Sequence, residues 1–223
     1  MNPTWWKTLR EYAEALIVAL VLALVIRAFI VQAFKIPSES MLNTLLVGDH
    51  LLVTKFAYGV RLPFSDKVIV PVSDPKRGDV VVFEYPVDPD KDFIKRVIGT
   101  PGDVVEIKAK QVFVNGKLLD EPYAIHDEPV AVPNPHMSEV NADPAEYFDR
   151  NSFSWKRDWM PKTTVPEGKY FVMGDNRDHS YDSRFWGFVD RSALRGKALI
   201  IYWSWDFTGG LDIRWSRIGR LVH

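Results

Sequence analysis

The stretch "DFIKRVIGTPGDVVEIKAKQVFVNGKLL", residues 92–119, decides the architecture. Valine, isoleucine and phenylalanine recur through it and "GTPGD" divides it, so both halves read as strands. Asn115–Gly116, within "VNGK", marks a hairpin, because both residues tolerate the positive φ that a two-residue turn demands. Outward from there, "HLLVTKFAYGV" (50–60), "DVVVFEYP" (79–86), "GKYFVMGD" (168–175) and "KALIIYWSWDF" (197–207) have the same strand-like composition. No long amphipathic helical pattern follows residue 36. The expected fold is mainly β, an antiparallel sheet core formed by residues 28–118 and 166–223. The proline-rich, weakly periodic segment 119–165 reads as a loop-rich insertion or cap.

Ahead of the core, "MNPTWWKTLREYAEALIVALVLALVIRAFIVQAF" carries no charge from Ala15 to Ile26. As a helix, Trp5–Ile26 would be about 33 Å long, against about 30 Å of hydrocarbon in a bilayer. Trp5 and Trp6 suit one interface and Arg27 the other. Glu11, Glu14 and Arg27 flank the run in a pattern unlike a removable signal peptide. Residues 1–27 are therefore expected to be a cytoplasmic stub and a single retained transmembrane helix. The alternation in "FIVQAFKI" then suggests a strand leaving the bilayer from Phe29.

Composition removes several functions. The 223 residues carry a net charge of −1, which argues against nucleic acid as a partner. There is no cysteine, so thiol catalysis, disulfides and cysteine metal sites are excluded. The five histidines, His50, His126, His136, His179 and His223, form no ligand-spaced set. No metal and no cofactor are expected.

Chemistry concentrates in three places. "KIPSESMLNTLLVGD" (35–49) sets Ser38 and Ser40 two positions apart. A serine hydroxyl needs a base, and no histidine lies in a convincing motif, which leaves an aspartate or a desolvated lysine. On a strand over 92–99, Lys95 shares a face with Phe93 and Val97, where loss of water favours the neutral amine. The competing "KRGD" (76–79) offers Lys76 without apolar neighbours. The third stretch, "GDNRDHSYDSRFWG" (174–187), is dense in polar groups. Either Asp182–Arg184 or Asp175–Arg177 would fix its shape as a buried pair, and Ser180 has the right chemistry to aim a nearby amine.

"IPSESM", "KRVIGTPGD" and "GDNRDHSYDSRFWG", in that order behind an apolar segment, resemble the type I signal peptidases. The resemblance implies that Ser40 is the nucleophile and Lys95 the general base. It gives Ser38 to the oxyanion hole beside the Ser40 N–H, and Ser180 to orientation of the lysine. Asp182 and Arg184 would support the loop. Phe34, Ile36, Pro37, Met41, Leu45, Phe93 and Ile94 would line shallow substrate pockets. The implied activity is removal of signal peptides from exported preproteins after small-x-small motifs. The catalytic domain would then lie outside a bacterial inner or plasma membrane, with the lipid bilayer and the protein-export machinery as further partners.

Glu39 departs from the family's glycine and Asn43 from its proline, and the Glu39 carboxylate is expected to point away from Lys95. Trp203, Trp205 and Trp215, interleaved with Arg214, Arg217 and Arg220, suggest a second membrane contact. A self-cleaving repressor, with the same Ser/Lys pairing, would need a DNA-binding amino terminus in place of the apolar one. An inactive binding or assembly protein of the same fold would have no reason to keep Ser40, Lys95 and Ser180 together.

Overall fold

The computed structural model describes residues 3–61, 68–70, 72–133, 153–206, 210 and 212–223. The middle of the expected insertion, 134–152, lies outside the described residues. Helix α1 spans Pro3–Phe29, and its last turn closes with Ile30 N donating to Ile26 O at 2.8 Å. The strand expected from Phe29 therefore begins at Val31, since the helix keeps its own hydrogen bonds through the intervening residues. Among the described residues, no helix is long and apolar enough to cross a membrane. Charges at Arg10, Glu11, Glu14 and Arg27 bracket the apolar run. The uncharged part alone is about 18 Å long.

The body is antiparallel sheet throughout. Its strands are β1 (Val31–Lys35), β2 (Asp49–Thr54), β3 (Val60–Arg61), β4 (Val68–Val70), β5 (Val80–Tyr85), β6 (Asp88–Gly99) and β7 (Val104–Lys108). They continue with β8 (Gln111–Val114), β9 (Lys117–Leu118), β10 (Met160–Thr164), β11 (Lys169–Met173), β12 (Val189–Asp190), β13 (Leu194–Asp206) and β14 (Asp212–Ile213). The main sheet runs in the order β1-β2-β13-β5-β6-β11-β12, with β14 on the end of β13, and a smaller sheet runs β10-β7-β8-β9.

Strand β5 shows why its sequence is an unbroken apolar run. Val80 and Val82 pack into one cluster with Leu51, Val53 and Ile201, while Val81 and Phe83 pack into another with Val97, Val172 and Val189. A strand buried on both faces has no polar side to alternate with. A third cluster, including Ile98, Val105, Val112, Met160 and Phe171, joins the two sheets. The Asn115–Gly116 turn forms as expected, with φ of 54° and 76°. Segment 119–165 is not wholly a cap: Met160–Thr164 pairs with β7 through a bulge. "MPKTT" hides this because the bulge buries Met160, Pro161 and Thr163 out of strict alternation.

Candidate active site

Ser40 lies in the irregular segment between β1 and β2. Ile36, Met41 and Leu45 are the apolar pegs that seat this segment on the sheet. Backbone bonds close its base, Ile36 N to Asp49 O at 2.8 Å and Gly48 N to Ile36 O at 3.0 Å. From the other side, Asn176 N donates to Ser40 O at 3.2 Å. Thr44 Oγ1 donates to Asp175 Oδ2 at 2.5 Å.

Lys95 reaches this segment from β6, where it stands opposite Val81. Its Nζ donates to Ser40 Oγ at 2.7 Å and to Ile94 O at 3.0 Å, with the Phe93 ring centred 5.5 Å away. Lys95 is only 4% exposed and Ser40 8%. Burial pushes the Lys95 ammonium down from 10.5 to about 8; the carboxylates of Asp182 and Asp175 pull it back up, and Arg184 lowers it further. Glu39 is exposed and is not among the anions acting on Lys95. The apolar-face reading of Lys95 thus holds, and desolvation is the leading cause of its shift. Ser38 Oγ lies 3.5 Å from Ser40 Oγ at the exposed rim of the site.

The loop after β11 walls the site. Asp182 accepts from Gly174 N at 3.0 Å and takes the fork of Arg184, whose Nε and Nη2 lie 2.8 and 2.9 Å from its two oxygens. Burial favours the neutral acid at Asp182, yet Arg184 and these hydrogen bonds hold the carboxyl below its ordinary value. The alternative Asp175–Arg177 pair does not form. Asp175 takes both arms of Arg96, at 2.8 and 2.7 Å, while Arg177 grips Glu121 at 2.7 and 2.5 Å. Tyr123 stacks on Arg96 with 3.9 Å between guanidinium and ring centre.

Two groups of expected site residues take these positions. Ser180 Oγ is buried, Nζ donates to Ser40 and Ile94 and not to it, and the Ser180 hydroxyl helps to hold the Asp182 carboxyl below its ordinary value. A Cβ at Gly174 would sit 2.3 Å from Ser180 Oγ and 2.4 Å from Ser40 O. Ser180 and the nucleophile segment thus both close on Gly174. Among the expected pocket residues, Met41 is 1% exposed, Leu45 0% and Ile36 3%, so they underlie the site. Pro37 is exposed, and Phe34, Phe93 and Ile94 are half-buried.

Gly174, Thr44, Arg96, Asn176 and the Asp49–Arg217 pair escaped the sequence reading. Arg217, read as part of a basic face, is buried. Only Gly174 left a trace, as the one residue in "MGDN" that lets two segments close on each other.

A serine hydroxyl hydrogen-bonded to a buried, desolvated amine is the pairing required by a serine–lysine hydrolase. Residues 9–203 match the family "Signal peptidase, peptidase S26". Signal peptidase I of Pseudomonas aeruginosa is 42% identical over 226 residues, covering 96% of this chain and 79% of that protein. The enzyme of the same name from Aquifex aeolicus is 36% identical over 235 residues, covering 88% and 85%. A solved signal peptidase I from Enterococcus faecalis is 28% identical and covers 56% of this chain and 97% of its own, with a TM-score of 0.37. The chain belongs to the signal peptidase family, peptidase S26, and is a peptide-bond hydrolase.

Proposed function

We propose that the chain cleaves signal peptides from exported preproteins after small-x-small motifs, with Ser40 as nucleophile and Lys95 as general base. The observation that carries this is the 2.7 Å bond from a buried Lys95 Nζ to Ser40 Oγ. Neutral Lys95 takes the hydroxyl proton as Ser40 attacks the scissile carbonyl. The oxyanion is met by the Ser40 N–H and the Ser38 hydroxyl. Protonated Lys95 then delivers its proton to the leaving amine, and water releases the acyl group in a second round. In the acyl-enzyme Nζ loses its acceptor on Ser40, and the buried Ser180 Oγ, on the loop with Asp182, is the group assigned to steady it. Asp182 and Arg184 hold the loop that carries Ser180.

The substrate adds as an extended strand. β11 pairs with β6 only from Arg96 to Gly99, so among the described residues Asp88–Lys95 has an open edge on that side. Pro37, Phe34, Phe93 and Ile94 are the accessible lining for small side chains.

The N-terminal helix is proposed as a single anchor in a bacterial inner membrane, the β body lying outside. Successive residues Leu16, Ile17 and Val18 point in different directions and all are exposed, so at that level no face of the helix is covered by the described residues. Arg10 pairs with Glu14 at 2.7 Å, which lowers the cost of taking that turn into the interface. The export machinery is a proposed neighbour.

Incubation of detergent-solubilised protein with a preprotein tests the chemistry: Ser40→Ala and Lys95→Ala abolish cleavage, and equal cleavage by all three proteins rejects the dyad. Release from membranes by alkaline carbonate rejects the anchor.

A further inference from the structure

Between the last turns of α1 and the β1–β2 hairpin lies a cavity of about 750 Å³. Ile26, Val31 and Leu52 form part of its apolar wall, and Arg27, Gln32 and Lys55 its polar one. The volume falls within the range of about 300–1,000 Å³ seen for small-ligand sites. Its two cations are held in place by the chain. Lys55 N donates to Ile30 O at 3.0 Å, tying the lysine to the connection that leaves the helix, and Leu52 is in register with Ala33.

Among the described residues no carboxylate lines the cavity, and neither Arg27 nor Lys55 forms an ion pair. Burial, then Arg195 and Arg27, push the Lys55 ammonium below its ordinary value. Arg195 has counter-charges in Glu84 and Asp92. The positive field left over belongs to Arg27 and Lys55. A site that couples two unneutralised cations to a greasy wall matches an anion with an apolar continuation, which inorganic phosphate lacks.

We propose that this cavity binds the phosphodiester head of an anionic phospholipid. Arg27 and Lys55 take the phosphate oxygens, Gln32 donates to an ester carbonyl, and Ile26, Val31 and Leu52 receive the glycerol and first methylenes. The inference rests on the membrane reading of α1, because Arg27 directly follows the apolar run and so places the cavity at head-group depth. The lipid would set the height of the catalytic sheet, since β1 leads from this cavity straight into the segment that carries Ser40.

The test uses the full chain in mixed micelles of phosphatidylglycerol and phosphatidylcholine, with retained lipids identified by native mass spectrometry. Wild type is expected to retain phosphatidylglycerol preferentially. Arg27→Gln and Lys55→Gln each reduce that preference about fivefold, and Lys55→Arg keeps it. Lys55→Arg also separates loss of the site from loss of the fold. Displacement of the lipid by inorganic phosphate, or an unchanged preference in the Arg27→Gln/Lys55→Gln double variant, overturns the proposal. Flotation on phosphatidylcholine vesicles runs in parallel. A wild type that fails to float removes the membrane reading and the site with it, whereas a floating protein whose variants keep the lipid preference removes the head-group site alone.

Discussion

The guanidinium of Arg217 straddles the carboxylate of Asp49, with Nε 3.0 Å from Oδ1 and Nη2 2.5 Å from Oδ2. The same Nη2 donates to Thr44 O at 2.9 Å, and Thr44 in turn bonds Asp175. A residue near the end of the chain thereby holds the segment on which Ser40 sits. Arg217→Ala strands a buried carboxylate, at an expected cost of about 3–5 kcal/mol. Turnover is expected to fall even at temperatures where the variant is folded. Denaturant unfolding with a kcat and KM comparison checks this, and wild-type stability would show that the fork holds nothing.

As the proposed base Lys95 must be neutral, so cleavage is expected to fall about tenfold per pH unit below its pKa of about 8. Asp182 raises that pKa, so Asp182→Asn, with Arg184 left in place, moves the acid limb to lower pH. A pH–rate profile on a small-x-small peptide decides between this outcome and a limb that stays still or moves up.

The buried lysine also costs stability. Its folded pKa lies below the unfolded value of 10.5, so between about pH 8 and that value the unfolded chain binds more protons and stability rises with pH. Below pH 8 the full penalty of about 3 kcal/mol applies. Lys95→Met is expected to be inactive yet more resistant to denaturant at pH 7, with the advantage shrinking above pH 8. A less stable variant at neutral pH would contradict the desolvated amine.

Ser38→Ala removes the proposed oxyanion donor and is expected to lower kcat by about 10²–10³ with little change in KM. Steady-state kinetics separates this from a binding role, in which KM would carry the loss.

Gly174→Ala forces a methyl group into Ser180 Oγ and Ser40 O, both nearer than 2.5 Å. The expected result is about 1–3 kcal/mol of destabilisation together with a fall in kcat, as the nucleophile segment is displaced. Thermal unfolding and turnover measured on one preparation test both halves.

Strands rich in valine and isoleucine were legible because the period is local: "DVVVFEY" and "VNGK" carry their own evidence. The Ala109–Lys110 turn was not, since φ of 47° and 72° at two non-glycine residues has no sequence marker. It is held by Lys110, whose N bonds Asp158 O and whose Nζ bonds Asp178 at 2.6 Å. The burial of Lys95 was legible from its apolar company, whereas its pairing with Ser40 came from the family resemblance. The partners of Asp175 were not, because Arg96 lies 79 positions away and only the sheet register brings it near. Arg217 looked like surface charge for the same reason: its counter-ion is 168 residues upstream.

That separation has a mechanical consequence. Ile200 bridges Leu221, and Arg217 closes on Asp49, so residues 217–221 are part of the frame around Ser40. Lys95 is set by strand pairing with β5, whereas the serine-bearing segment is braced by this clasp. The hydroxyl and the amine therefore rest on independent supports, and a disturbance at Arg217 reaches the first while leaving the second in register.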